Sequence, residues 1–224
     1  MYTPKHYKMS DEAVMELLNR PQSGDLVTQG PNGIVSTYTP FIYEPKEGEL
    51  GSLLGHLAWV NDAWKHTGKE VLVILHGPEA YISSDWIREP HEDQVVAITN
   101  FVSVHVYGEL IVHTDHDWAL DAVARLSSAF EPSYDLLEVP SELLEGMLKA
   151  MVAFEVKITR IEGHARMSQN RSPERLEKII AGLRSVGGVE AASWMERYSL
   201  PQARAKEALV QAAAARRKPI AEHE

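Results

Sequence analysis

The chain has 224 residues, 44% of them hydrophobic, no cysteine, and 32 acidic against 22 basic side chains, for a formal charge of −10. That length allows one large core without covalent staples, and the hydrophobic content excludes a disordered chain. The absence of cysteine excludes disulfides, thiolate catalysis and cysteine metal sites, and the acidic balance argues against direct DNA binding.

Residues 1–9 carry no apolar stretch of the secretory-signal kind, and no run is long enough to span a bilayer. A cytoplasmic protein with no membrane association is expected. Residues 10–20 predict a short helix: Ser10 caps it, Asp11 and Glu12 occupy its first turn, and Pro21 ends it. Asp25–Gly30 and Gly33–Tyr43 predict a hairpin turning at Pro31-Asn32, and residues 49–55 predict a third strand after a turn at 46–48. From Gly55 to Trp64 the chain is expected to leave the strand and form a short helix. Val71–Leu75 is an unbroken apolar run, hence a buried strand, which Gly77-Pro78 should break before Ala80–Ser83 resumes. Residues 94–113 read as one long bent strand or two, with Gly108 at the kink.

The apolar period then changes from two to 3.6 residues. Leu120, Val123, Leu126 and Phe130 predict a helix over 116–130, capped by Thr114 or Asp115. Ser141 is the expected cap of another, with Leu144, Met147, Leu148 and Met151 facing inward. Phe154, Val156 and Ile158 alternate as a last strand reaching Ile161, and Ser172-Pro173-Glu174 opens a helix that Gly187-Gly188 ends. Residues 202–217 are Ala-rich and predict a helix with a basic end at Arg216-Arg217-Lys218. Six or seven strands with the helices inserted late give the α+β class and a closed antiparallel barrel. The expected division is a barrel domain over 1–188 and a helical extension over 189–224.

One stretch reverses the local charge. Gly163–Arg171 holds Arg166, Arg171, His164, Ser168, Gln169 and Asn170 with no acid, between a strand and a capped helix. Such a corner can bind an anion; read alone, the stretch is better taken as a solvated basic loop. His56 follows a glycine at a strand end, where it can serve as a ligand or as a satisfied boundary histidine. Thr99, Asn100 and Ser103 place hydrogen-bonding groups inside an apolar strand beside Phe101, with His105 on the same alternation as Phe101 and Ser103. Buried polar groups need partners, which a ligand or a second chain could supply. His113 and His116 stand three apart beside Asp115 and Asp117, but at a strand-to-helix junction these residues cap the helix, and no metal site is expected. Phosphate-binding glycine loops, His-Glu-x-x-His and a serine nucleophile elbow are absent.

Five segments, in order, resemble one family: Met1-Tyr2-Thr3-Pro4-Lys5-His6-Tyr7; Gly55-His56-Leu57-Ala58 with Asn61 and Trp64; Gly77-Pro78-Glu79-Ala80-Tyr81-Ile82-Ser83 with Trp86; Val104-His105-Val106-Tyr107-Gly108; and Met167-Ser168-Gln169-Asn170-Arg171. The chain resembles the PaiB family, described as FMN-binding negative transcriptional regulators, within the flavin split-barrel superfamily that includes pyridoxamine-phosphate oxidases. The resemblance implies a six-stranded split barrel that forms a homodimer with FMN at the subunit interface. It places His56, Asn61, Ser168, Gln169, Asn170 and Arg171 at the cofactor, with His105 as a further candidate. Thr99, Asn100 and Arg166 complete the cofactor-binding set. Thr99 stands where the family has Trp, Tyr38 where it has His, and Arg166 where it has Lys. The role implied is redox or sensory, with negative transcriptional regulation, and any enzymatic activity would be an FMN-dependent oxidoreductase. No acid–base pair identifies catalytic residues. The alternatives are a haem-binding or haem-degrading split barrel and a regulator acting without a bound cofactor.

Overall fold

The computed structural model describes residues 1–31, 33–45, 49–88 and 95–216. Asn32 of the expected hairpin turn, the 46–48 turn, the start of the expected strand at Gln94, and Arg217-Lys218 lie outside the described residues. Helix α1 spans Asp11–Leu18, and Ser10 Oγ accepts a hydrogen bond from the Ala13 N–H. Its Ala13, Val14, Leu17 and Leu18 are buried, a stripe set by helical spacing. Strands β1 (Gln22–Gly30) and β2 (Gly33–Glu44) form the hairpin, in register from Gln22 opposite Phe41 to Gly30 opposite Gly33. Strand β3 (Ser52–Ala58) pairs with β2, placing Gly55 opposite Phe41. The other strands are β4 (Glu70–Ile82), β5 (Ile98–His113) and β6 (Met151–Arg166). Together they close a barrel in the order β1-β2-β3-β6-β5-β4.

Several expectations are corrected. Gly55 to Ala58 remain in β3, and the helix that follows is a 3-10 turn confined to Asp62–His66. The reason is packing: a Cβ on Gly55 would meet Phe154 Cζ at 2.6 Å, so glycine here serves close strand contact and not a turn. Gly77-Pro78 does not break β4. The β1 ladder pairs with β4 at Leu72–Leu75, so Pro78 lies beyond it, where a missing N–H removes no bond on that side. Of the two readings of residues 94–113 the single strand holds: β5 runs through Gly108 without a break, and a Cβ there would run into the Lys157 carbonyl oxygen. Strand β6 extends past Ile161 to Arg166, so the first half of the basic corner is strand.

Helix α2 spans Ser84–Ile87. Helix α3 spans His116–Phe130, with Asp115 as its cap accepting from the Trp118 N–H. It lays Ala122 and Leu126 on Ile42, Leu54 and Ala153 of the barrel. Helix α4 (Ser141–Lys149) starts one residue earlier than expected: Pro140 occupies the cap position, Ser141 is the first helical residue, and Met147 is exposed while Leu148 is buried. Helices α5 (Pro173–Ser185), α6 (Val189–Trp194) and α7 (Leu200–Arg216) follow, with a π-helical turn at Met195–Ser199 between the last two.

The chain divides into two compact units. The first comprises Met1, Met9–His76 and Ser103–Gly163; the second comprises Tyr2–Lys8, Gly77–Val102 and the chain from His164 onward. In the second unit Leu176, Ile179, Ile180 and Leu183 of α5 are buried together with Ala191, Trp194 and Met195. Trp86 of α2 lies against Gly182, where a Cβ would approach its ring to 2.4 Å. Among the described residues, no helix is long and apolar enough to cross a membrane.

Candidate functional site

The basic corner lies in the second unit. Met167 is fully buried and anchors the chain as β6 ends. Ser168 follows with φ 59°, the one residue other than glycine in the left-handed region among the described residues. That conformation costs a residue with a Cβ on the order of 1–2 kcal/mol. The Ser168 hydroxyl donates to Asn100 Oδ1 at 3.1 Å and accepts from Asn100 Nδ2 at 3.0 Å, and both side chains are buried. The turn closes with the Arg171 N–H donating to the Ser168 carbonyl at 2.9 Å. Ser172 then caps α5 and Pro173 takes its first position, the arrangement expected from the sequence.

Gln169 is also engaged within the protein. Its Oε1 accepts from the Met167 N–H at 2.8 Å, and its Nε2 donates to the carbonyls of Ala165 at 2.5 Å and His6 at 3.0 Å. Asn170 is exposed, and Arg166 and Arg171 are half-buried. Arg171 Nε is buried with no hydrogen-bond partner among the described residues. An unmatched guanidinium nitrogen in a loop without a carboxylate is the feature an anion would complete. Thr99 is exposed, one residue before buried Asn100, as strand alternation requires.

His164 supports the corner from β6. Its ring stacks parallel to Phe101 at 5.3 Å and lies 5.4 Å from Tyr7. Burial depresses its pKa, and the positive charge of Arg166 acts in the same sense. It is therefore neutral near pH 7, and the charge of the corner comes from Arg166 and Arg171.

The remaining candidates lie in the first unit. His56 is half-buried on β3; its carbonyl accepts from Thr39 Oγ1 at 2.6 Å. Its Nδ1 is buried without a hydrogen-bond partner among the described residues, and burial depresses its pKa. Asn61 has a local use: its Oδ1 accepts from the Ala63 N–H at 2.9 Å, capping the 3-10 turn, and its Nδ2 donates to Thr37 Oγ1 at 3.1 Å. His105 is half-buried on β5, with its ring 6.4 Å from Tyr107. Trp59 and Trp64 stack at 4.8 Å. His113 and His116 are drawn to separate acids, Glu155 at 3.2 Å and Glu145 at 2.9 Å, and no cluster of three metal-ligating side chains occurs among the described residues. Tyr38 is exposed on β2.

Two residues of the second unit escaped the sequence reading. Met195 and Ser199, on the π-helical turn, are buried. Met195 Sδ accepts from Asn100 Nδ2 at 3.8 Å, and Ser199 Oγ donates to the Met167 carbonyl at 2.9 Å. The apolar Ala191, Ala192, Trp194 and Met195 were the available signal that the chain after Gly188 is packed.

Comparison with known proteins identifies the family. A relative from Bacillus subtilis, "Protease synthase and sporulation protein PAI 2", is 28% identical over 192 residues, covering 83% of this chain and 90% of that protein. Among solved structures, the flavocytochrome Anf3 from Azotobacter vinelandii superposes with a TM-score of 0.51 at 14% identity, covering 70% of this chain and 67% of that one. An FAD and heme binding protein from Mycobacterium smegmatis superposes with a TM-score of 0.50 at 14% identity, covering 72% and 74%. At such identities these two structures show a common fold alone. A family model described as "Putative FMN-binding domain" matches residues 1–160. The chain thus belongs to that FMN-binding family, and FMN is the cofactor the family indicates.

Proposed function

We propose that the protein binds FMN through the corner Arg166–Arg171, with Arg171 on the phosphate, and uses it in a redox or sensory role that includes negative regulation of transcription. The observation that carries the reading is the buried Arg171 Nε, without a hydrogen-bond partner among the described residues, in a loop that has no acid. Arg166 adds a second positive charge, and the exposed amide of Asn170 is free to turn toward the ligand. Bound FMN supplies hydride or single-electron transfer; the protein supplies binding, orientation and electrostatics. His164, held neutral, leaves the positive charge of the corner to the two arginines.

The regulatory part rests on the sequence resemblance to the PaiB family, described as negative transcriptional regulators. With a formal charge of −10, the protein acts on transcription through a metabolite or a partner and not by gripping DNA itself. Ile34, Val35 and Tyr38 leave apolar surface exposed on β2, which supports a homodimer. A visible spectrum of freshly purified, cytoplasmically expressed protein tests the cofactor. Flavin bands are expected; a Soret band would favour the haem alternative, and a colourless protein that ignores added FMN would overturn both.

A further inference from the structure

The sequence motif assigns Ser168 and Asn100 to the ligand, yet their polar atoms are turned on each other inside the second unit. Asn100 gives one amide hydrogen to Ser168 Oγ and also reaches Met195 Sδ. Ser199, four residues further on the same π-helical turn, holds the Met167 carbonyl. A π-turn is a rare insertion that widens a helix locally and recurs at functional positions. Here it brings a thioether and a hydroxyl to the two residues, Asn100 and Met167, that flank the left-handed Ser168. The turn that follows is closed by the Arg171 N–H on the Ser168 carbonyl.

We infer that Asn100, Ser168, Met195 and Ser199 form a buried clasp that fixes the left-handed turn at Ser168 and so aims Arg171 at the phosphate, without touching the ligand. These four are positioning residues. Strained backbone of this kind persists only where its surroundings over-determine it, and three buried side chains from two distant segments do so here. The inference rests on the FMN reading above, and adds that the hydroxyl of the motif serine is used for geometry.

The test compares FMN with riboflavin, which lacks the phosphate, by flavin fluorescence titration of the full chain. The ratio of the two affinities reports the phosphate corner, and a general loss of folding lowers both. Glycine populates the left-handed region readily, whereas threonine keeps the hydroxyl but is branched at Cβ and disfavoured there. Ser168→Gly is therefore expected to keep the FMN preference within about threefold, and Ser168→Thr to lose about tenfold. Direct contact of the hydroxyl with phosphate predicts the reverse order, and that result overturns the inference. If Ser168→Thr does not fold, Ser168→Ala decides: clearly weaker than Ser168→Gly under the clasp, equal to it under direct contact. Asn100→Ala should reduce the preference about tenfold, and combining it with Ser168→Ala should add little, since both act through one contact. Wild-type protein without FMN preference would overturn the phosphate reading and the clasp together. A preference abolished by Arg171→Ala but following the direct-contact order at Ser168 would overturn the clasp alone.

Discussion

The loop Arg166–Arg171 and the segment His56–Asn61 were picked out by the same kind of signal, short motifs beside glycines and strand ends, but they are built differently. Each contains one buried nitrogen without a hydrogen-bond partner among the described residues, Arg171 Nε and His56 Nδ1. In the first case the nitrogen belongs to a permanent cation, its loop carries a left-handed serine, and a π-turn later in the chain bonds to Asn100 and Met167. In the second the nitrogen belongs to a ring that burial keeps neutral, on a regular strand, while its neighbour Asn61 is occupied as a helix cap. A charged loop with a strained residue costs stability that folding alone does not repay. A neutral histidine beside a satisfied cap is close to what folding alone would produce.

That contrast can be broken by substitution. Arg171→Ala should weaken FMN binding by about 1.5–3 kcal/mol through loss of a charge-assisted contact, with riboflavin binding unaltered; equal losses for both flavins would remove Arg171 from the phosphate. Gly55→Ala should destabilise the first unit by about 1–3 kcal/mol, because its Cβ would meet Phe154 Cζ at 2.6 Å and the Pro40 carbonyl at 3.1 Å. Its melting temperature should fall while the flavin preference of the folded fraction stays. Asn61→Ala should cost about 1 kcal/mol of stability as a lost cap, again without changing the FMN-to-riboflavin ratio; a changed ratio would make Asn61 a ligand contact.

The smallest expected effect is on pH. His56 and His164 both have pKa values depressed below the ordinary 6.5 by burial. Below that value the unfolded chain takes up protons that the folded protein resists, so stability is complete above about 6.5 and declines as pH falls toward the folded values. His164→Phe preserves an aromatic against Phe101 and should flatten part of this decline in thermal melts taken between about pH 7.5 and 5.5. An unchanged slope would place the titration elsewhere.

Local chemistry made much of this fold readable. Asp115 and the run Leu120, Val123, Leu126 mark α3 to its boundaries because cap and period agree. Ser172-Pro173 marks the start of α5 for the same reason. Where the sequence misleads, a distant neighbour decides. Gly55 looks like a strand end but admits Phe154. Pro78 looks like a stop but lies past the β1 ladder. Ser141 looks like a cap, but Pro140 holds that position. The candidate corner follows the same rule. Its charge and small polar residues were visible in Gly163–Arg171, whereas Ser168 bonds to Asn100, 68 residues earlier, and Met195 and Ser199 beyond α5 bond to Asn100 and Met167. No periodicity encodes such a pairing.

The most direct test of the central claim is the ratio of FMN to riboflavin affinity in the wild-type protein, measured by fluorescence titration. A phosphate held by Arg171 predicts FMN binding at least about tenfold tighter than riboflavin, one charge-assisted contact's worth. Equal affinities would contradict it and return Gly163–Arg171 to an ordinary basic loop.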